Sequence, residues 1–158
     1  MPSFVSFGAL RVVASARRDF ERAVAYLSRD PGERALFARL ERGPQRVTVT
    51  TNARDADFYD PNTRTIHWDP HSALRTTHGG RQSPALGLGH EADHAAHDGP
   101  GEWRRANTAD RRYDTAEERR VIAGSERRAA RTLGEATRSD HAGTCYRVPS
   151  PTTMPLIA

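Results

Sequence analysis

The stretch from Ser83 to Pro100 leaves the backbone little choice but to form a helix. Ser83-Pro84 supplies an N-cap and a first-turn proline. His97-Asp98-Gly99-Pro100 supplies the stop, with Gly99 expected as the C-terminal cap and Pro100 barring continuation. Between them, Ala85, Leu86, Leu88, Ala92, Ala95 and Ala96 offer small and apolar packing surface. The predicted helix has about four turns. Within it, His90-Glu91-Ala92-Asp93-His94 has the spacing His-Glu-x-x-His, which sets two imidazoles one turn apart on one face. Such a pair can grip one Zn²⁺, with Glu91 placed to take a proton from water beside it. The plainer reading of the same segment is a polar helix with unlinked histidines.

The rest of the composition narrows the setting. A chain of 158 residues, 36% hydrophobic, suits one domain with a small core. No apolar run approaches the roughly 18 residues of a membrane span. The segment Met1 to Arg18 bears serines, lacks acidic residues and is interrupted by Arg11, so a secretory signal peptide is not expected. It suits an export signal read by a specialised secretion system, or an ordinary disordered terminus. Cys145 is the single cysteine, which excludes an intrachain disulfide and argues against a thiolate metal site. All 24 basic residues are arginine, as a GC-rich coding sequence would give. Avoidance of ubiquitin attachment inside a eukaryotic host would give the same bias. The net charge of +4 permits acidic partners, but interleaved carboxylates and sparse aromatics argue against nucleic acid. A monomer is expected.

Periodicity predicts an α+β chain. Residues 17–30 and 31–42 read as helices, the second opened by Pro31 and closed by Gly43-Pro44. Arg46 to Thr51 is a β-branched strand, and 56–59 and 64–68 flank the turn Asp60-Pro61-Asn62-Thr63 as a hairpin. Residues 71–82 and 99–114 read as polar loops, the first mobile and the second anchored by Trp103. Thr115-Ala116-Glu117-Glu118 is a capping box opening a long helix to about Arg138, with Val121, Ile122, Ala129 and Leu133 inward. Residues 143–148 suit a short strand. This gives a helical N-terminal part over 1–45, with the export signal at 1–18 if there is one. A metal-bearing domain follows over 46–148, and a flexible tail over 149–158.

A catalytic zinc usually takes three protein ligands and keeps one position open. One scheme places a third His six residues after His94, but that position is Pro100. The other draws a Glu from a following helix. Glu118 fits best, on the stripe with Val121 and Ile122, unless it serves only the capping box. Glu117 beside it could accept a hydrogen bond from a liganding His, and Glu126 is the reserve ligand. A tetrahedral oxyanion would need a further donor, for which the C-terminal segment offers Tyr146, then His141, then Arg138. The strand Arg64 to Trp68 is expected as an edge for an extended substrate. His67, His71 and His78 are expected at the surface.

The blocks SPALGLGHEADHAAHD, TAEERRVIAGSERRAARTLGE and RSDHAGTCYRV resemble the M91 family of zinc metallopeptidases, bacterial effectors and toxin domains often delivered by type III secretion. YDPNTRTIHWDP is similar to that family's hairpin before its active helix. The likeness covers roughly residues 46–148 and extends more broadly to clostridial neurotoxin light chains. It implies a minimal zincin-like domain, with the hairpin packed on an active-site helix and a second, ligand-bearing helix. It also implies Zn²⁺ held by His90, His94 and Glu118, and Glu117 bonded behind a ligand. Its implied role is a secreted endopeptidase acting on a host signalling protein. The family usually has bulky aliphatics where this chain has Ala92-Asp93, so Asp93 requires a polar partner. Two alternatives stand. One is an ImmA/IrrE-like peptidase in the bacterial cytoplasm, though its Glu-Ala-Asn-x-Phe-Ala-like segment is absent. The other is an Arg-rich nucleic-acid- or protein-binding module without catalysis.

Overall fold

Alternation of buried and half-buried positions begins at Leu10, where Leu10 and Val12 are fully buried on one side of a strand. In the computed structural model, which describes residues 1–153, β1 (Phe4–Phe7) and β2 (Leu10–Val13) form an antiparallel hairpin. Gly8 turns it at φ +62°, pressed against the Glu41 carbonyl where a side chain would not fit. Residues 4–13 are thus paired in the sheet and not a loose terminus, and a 3₁₀ turn over Ala14–Ala16 follows. Helices α1 (Arg17–Leu27) and α2 (Pro31–Arg42) follow. Asp30 caps α2 by accepting from the Glu33 amide at 2.9 Å.

This two-helix crossover lays β3 (Val47–Thr51) parallel to β2, and β5 (Thr65–Trp68) runs parallel to β3. The expected hairpin forms between β5 and β4 (Phe58–Asp60). The sheet is therefore mixed, in the order β1-β2-β3-β5-β4. The architecture is α+β, but two expectations fail. No boundary separates residues 1–45 from the rest, since β2 pairs with β3 and both early helices pack on the central one. And β5 is not an edge, because β3 and β4 occupy both its sides.

The central helix α3 (Pro84–Ala96) is the predicted one, with Ser83 accepting from the Leu86 amide and Pro84 in the first turn. It is buried along nearly its whole length, with Trp68 donating to the Pro84 carbonyl at 2.9 Å. Two interior glycines let neighbours approach: a methyl at Gly89 would stand 2.6 Å from Glu33 Oε2, and one at Gly87 would stand 2.8 Å from Asp57 Oδ2. Helix α3 ends at His97, and Gly99, extended at φ 163°, precedes the next helix instead of capping this one.

The two polar loops also carry structure. Residues 71–82 hold β6 (Ser72–Arg75) and β7 (Arg81–Gln82), which pair around a turn closed by Thr76 and Gly80. Residues 99–114 hold α4 (Pro100–Ala106) and a small hairpin of β8 (Ala109–Asp110) with β9 (Asp114–Thr115). Trp103 is half exposed, its indole N–H donating to Asp98 at 2.9 Å, and Tyr113 is the buried aromatic there. Thr115 caps α5 (Ala116–Val121), a π-helical turn spans Ile122–Glu126, and α6 (Arg127–Leu133) ends at left-handed Gly134 (φ +73°), short of Arg138. Strand β10 (Thr144–Arg147) is the expected last strand and pairs with β6. Of the expected tail, Pro151 is buried and its carbonyl accepts from the Ala85 amide at 2.8 Å, while 154–158 lie outside the described residues. No helix among the described residues is long and apolar enough to cross a membrane.

Glu33, on α2, is fully buried, and neither carboxyl oxygen has a hydrogen-bond partner. Burial first, then the neighbouring Asp30 and Asp93, pushes its pKa up to about 8. The folded state therefore holds a proton that the unfolded chain releases near 4.5. The stability this confers is complete below pH 4.5 and is lost as pH rises through 8, at about 1.4 kcal/mol per pH unit. Glu33→Gln should lack that slope. Urea unfolding at pH 5 and pH 8 should show the variant gaining on the wild type by a few kcal/mol as pH rises; an unchanged difference would refute a neutral Glu33.

Candidate metal centre

Helix α3 presents His90, Glu91 and His94, all buried, into a cage built by α5, the π-helical turn and the segment after α6. The two Nε2 atoms stand 3.1 Å apart. Glu118, from the first turn of α5, spans both: Oε2 lies 2.8 Å from His90 Nε2 and Oε1 lies 3.2 Å from His94 Nε2. Glu91 Oε1 is 4.0 Å from His90 Nε2. Glu118 thus comes nearer the histidines than Glu91 does. The group His90, Glu91 and His94 could hold a metal ion.

Behind each imidazole stands another carboxylate. His90 Nδ1 meets Glu126 Oε2 at 2.6 Å, and His94 Nδ1 meets Glu117 Oε1 at 3.4 Å. A carboxylate on Nδ1 fixes the tautomer and aims Nε2 at the common point. Glu117 is where the sequence places it. Glu126, the reserve ligand, reaches the far nitrogen of His90, outside the point where the Nε2 atoms converge. The π-helical turn explains this: one widened turn between Glu118 and Glu126 re-aims the second carboxylate.

Arginines hold the outer carboxylates. Arg138 clasps Glu126 through Nε at 2.7 Å and Nη2 at 2.8 Å, so it is committed there and not to an oxyanion. Arg105 and Arg120 each reach Glu117 at 2.5 Å. Asp93 finds its polar partners in Arg120 at 2.9 Å, His97 at 2.6 Å and the Ser125 hydroxyl. Five carboxylates (Glu91, Asp93, Glu117, Glu118 and Glu126) face three arginines here, which leaves the remaining negative charge to protonated imidazoles or to a bound cation.

The same contacts set the protonation states. Burial opposes charge on His90, but hydrogen bonds to Glu118 and Glu126 outweigh it and raise its pKa well above the usual value. His94 is raised to about 9 because Glu117 and Glu118 overcome its burial. Burial would raise Glu117, Glu118 and Glu126, yet their histidine and arginine partners hold all three carboxyls below the ordinary range. Glu91 alone goes up, mainly through burial.

His141 joins the site: its Nε2 lies 3.4 Å from Glu118 Oε2, its ring stacks 6.5 Å from that of His90, and its Nδ1 bonds to Asp114. Tyr146 does not. Side chains alternate along β10, so Cys145 lines the groove and Tyr146 faces the other way, beneath the Arg81 guanidinium at 5.4 Å with its hydroxyl buried and unpartnered. His67 stacks on Phe58, His71 bonds to the Val148 carbonyl and His78 to Ser139, none of them at the cage. The groove beside the cage, about 280 Å³, runs past Glu91, His141 and Cys145 and beneath Asp55 and Asp57. Sequence reasoning missed Asp57, Arg105 and Asp114. Their roles arise from contacts across the fold, and the left-handed φ of +66° at Asp114 is itself seen only in the folded chain.

Glu126 is buried and the Arg138 side chain is only 10% exposed, so removing one partner strands the other's charge. Arg138→Met should cost about 3 kcal/mol in urea unfolding. Arg138→Met with Glu126→Gln should recover most of that loss, and an additive double variant would exclude the pairing. No protein-family model, no curated protein and no solved structure matches this chain.

Proposed function

We propose that this protein is a zinc-dependent endopeptidase. One observation carries the reading: two imidazole Nε2 atoms and the Glu118 carboxylate converge on one point, with Glu91 beside it on the groove side. The donor set fits the ion. Two nitrogens and one oxygen with a carboxylate behind each imidazole suit Zn²⁺, and three protein ligands leave a position for substrate or water. His90, His94 and Glu118 would hold it. Bound there, zinc supplies an acidified water and a polarised carbonyl.

The chain's own residues supply the rest. Glu91, buried beside His90 on the groove side, takes the proton of the attacking water and returns it to the leaving amine. With both ring nitrogens protonated, His141 donates Nδ1–H to Asp114 and turns Nε2–H toward the cage, where it can donate to the oxygen that gains charge. The groove holds the peptide past Glu91. The segments similar to the M91 family support placing the activity in a bacterial effector or toxin acting on a host protein. That placement, and delivery by secretion, rest on the resemblance alone.

Elemental mass spectrometry should find near one zinc per chain in the wild type and none in His94→Ala or Glu118→Ala. A folded wild type that takes up no zinc would sink the peptidase reading and leave an Arg-rich binding module, recognisable by steep salt dependence. Glu91→Gln should keep its zinc and lose about 10²- to 10⁴-fold in kcat on peptide libraries. His141→Ala and Asp114→Asn should lower kcat by up to about 10²-fold with little change in KM. A loss confined to KM would make them binding residues only.

A further inference from the structure

The groove holds a carboxylate that neither the metal cage nor the proton transfer uses. Asp57 sits in the connection from β3 to β4, and its side chain lines the groove together with Glu91. One oxygen is fixed: Oδ1 accepts from the Asp69 amide at 2.7 Å. The other, Oδ2, lies over Gly87, one helical turn before Glu91 on the same face of α3. Gly87 makes room for it, since a methyl group there would stand 2.8 Å from that oxygen.

The neighbouring cations are already committed. Arg147 pairs with Asp55 at 3.0 Å and with Asp69 at 2.5 Å, and Arg138 pairs with Glu126. Among the described residues, Asp57 makes no ion pair of its own. Asp57 thus faces this confined space without an ion pair, beside Glu91, whose neighbouring imidazole nitrogen, His90 Nε2, stands 4.0 Å away, in a chain whose net charge is +4. Burial and the charge of Glu91 both act against ionisation of Asp57, a penalty that a cation seated between them would relieve. The free space, about 280 Å³, accommodates one long side chain.

We infer that Asp57 is a specificity-determining residue, which binds a substrate cation, guanidinium or primary ammonium, immediately beside the scissile bond. The inference rests on the peptidase reading for the words "scissile bond", but the cation site itself does not. The source is a basic side chain, Arg or Lys; the α-ammonium of a substrate's first residue carries the same chemistry and is distinguished by the test.

Binding is measured first, without catalysis. Butylguanidinium is titrated into the zinc-loaded full chain and into Asp57→Asn, followed by calorimetry and by amide chemical shifts. Asn keeps the acceptor for the Asp69 amide, so the fold is retained. Affinity should fall about tenfold or more in Asp57→Asn. Gly87→Ala, which keeps the carboxylate but crowds it, should weaken binding in the same direction. Equal affinity in wild type and Asp57→Asn overturns the inference and leaves the peptidase reading intact. Asp57-dependent binding without cleavage of any peptide overturns the peptidase reading and leaves the cation site. Terminally blocked peptide libraries then identify the source. Arg or Lys should be enriched beside the cut in wild type and not in Asp57→Asn. Cleavage that requires a free N-terminus assigns the α-ammonium instead, and cleavage blind to charge overturns the inference.

Discussion

Two imidazoles buried on one helix cannot stand alone, and much of the fold answers that demand. Each ring nitrogen of His90 and His94 faces a carboxylate, and the carboxylates behind the rings face arginines in turn. A buried charge is tolerable only when paired and hydrogen-bonded, so the cage extends outward until it reaches side chains that touch water. Arg105 and Arg120 are partly exposed, and there the chain of pairings ends. The partners come from α4, α5, the π-helical turn and the segment beyond α6. The central helix is therefore held by elements distributed over the second half of the sequence, while α1, α2 and the sheet supply its apolar bed.

The helix and its motif were legible because their signals are local: Ser83-Pro84 at one end, Gly99-Pro100 beyond the other, and a fixed spacing between. The β4–β5 hairpin and the capping box at Thr115 were legible for the same reason. What escaped was everything non-local. Phe4–Phe7 and Leu10–Val13 are too short to announce themselves, and only pairing with β3 makes them strands. The polar runs at 72–82 and 100–115 became hairpins and a helix through contacts with β10 and α5 that no window of sequence displays. Glu118 and Glu117 fell on the expected side of α5, whereas Glu126 reached the far nitrogen of His90 because a π-helical turn has no simple sequence mark. Tyr146 was misplaced because strand parity cannot be assigned before the pairing with β6 is known. Asp57 and Gly87, thirty residues apart, have meaning only together.

Charge tells a similar story of local against global. The chain is basic overall, yet Arg105, Arg120 and Arg138 are committed to carboxylates around α3, and the groove beside them keeps Asp55, Asp57 and Glu91. A formal charge of +4 therefore says little about what enters the site.

The π-helical turn at Ile122–Glu126 has a consequence for how this sequence can vary over time. Its extra residue sets the rotation of everything after it, and one residue of α-helix is about 100° and 1.5 Å. Exposed Ala123 and Gly124 can be exchanged freely as to side chain, since nothing packs on them. Their winding cannot change. Wound as regular α-helix, the same residues would turn Glu126 about 100° away from His90 and carry Arg138 with it. Kinship to this chain should therefore be sought in the count of residues between Glu118 and Glu126 as much as in their identity.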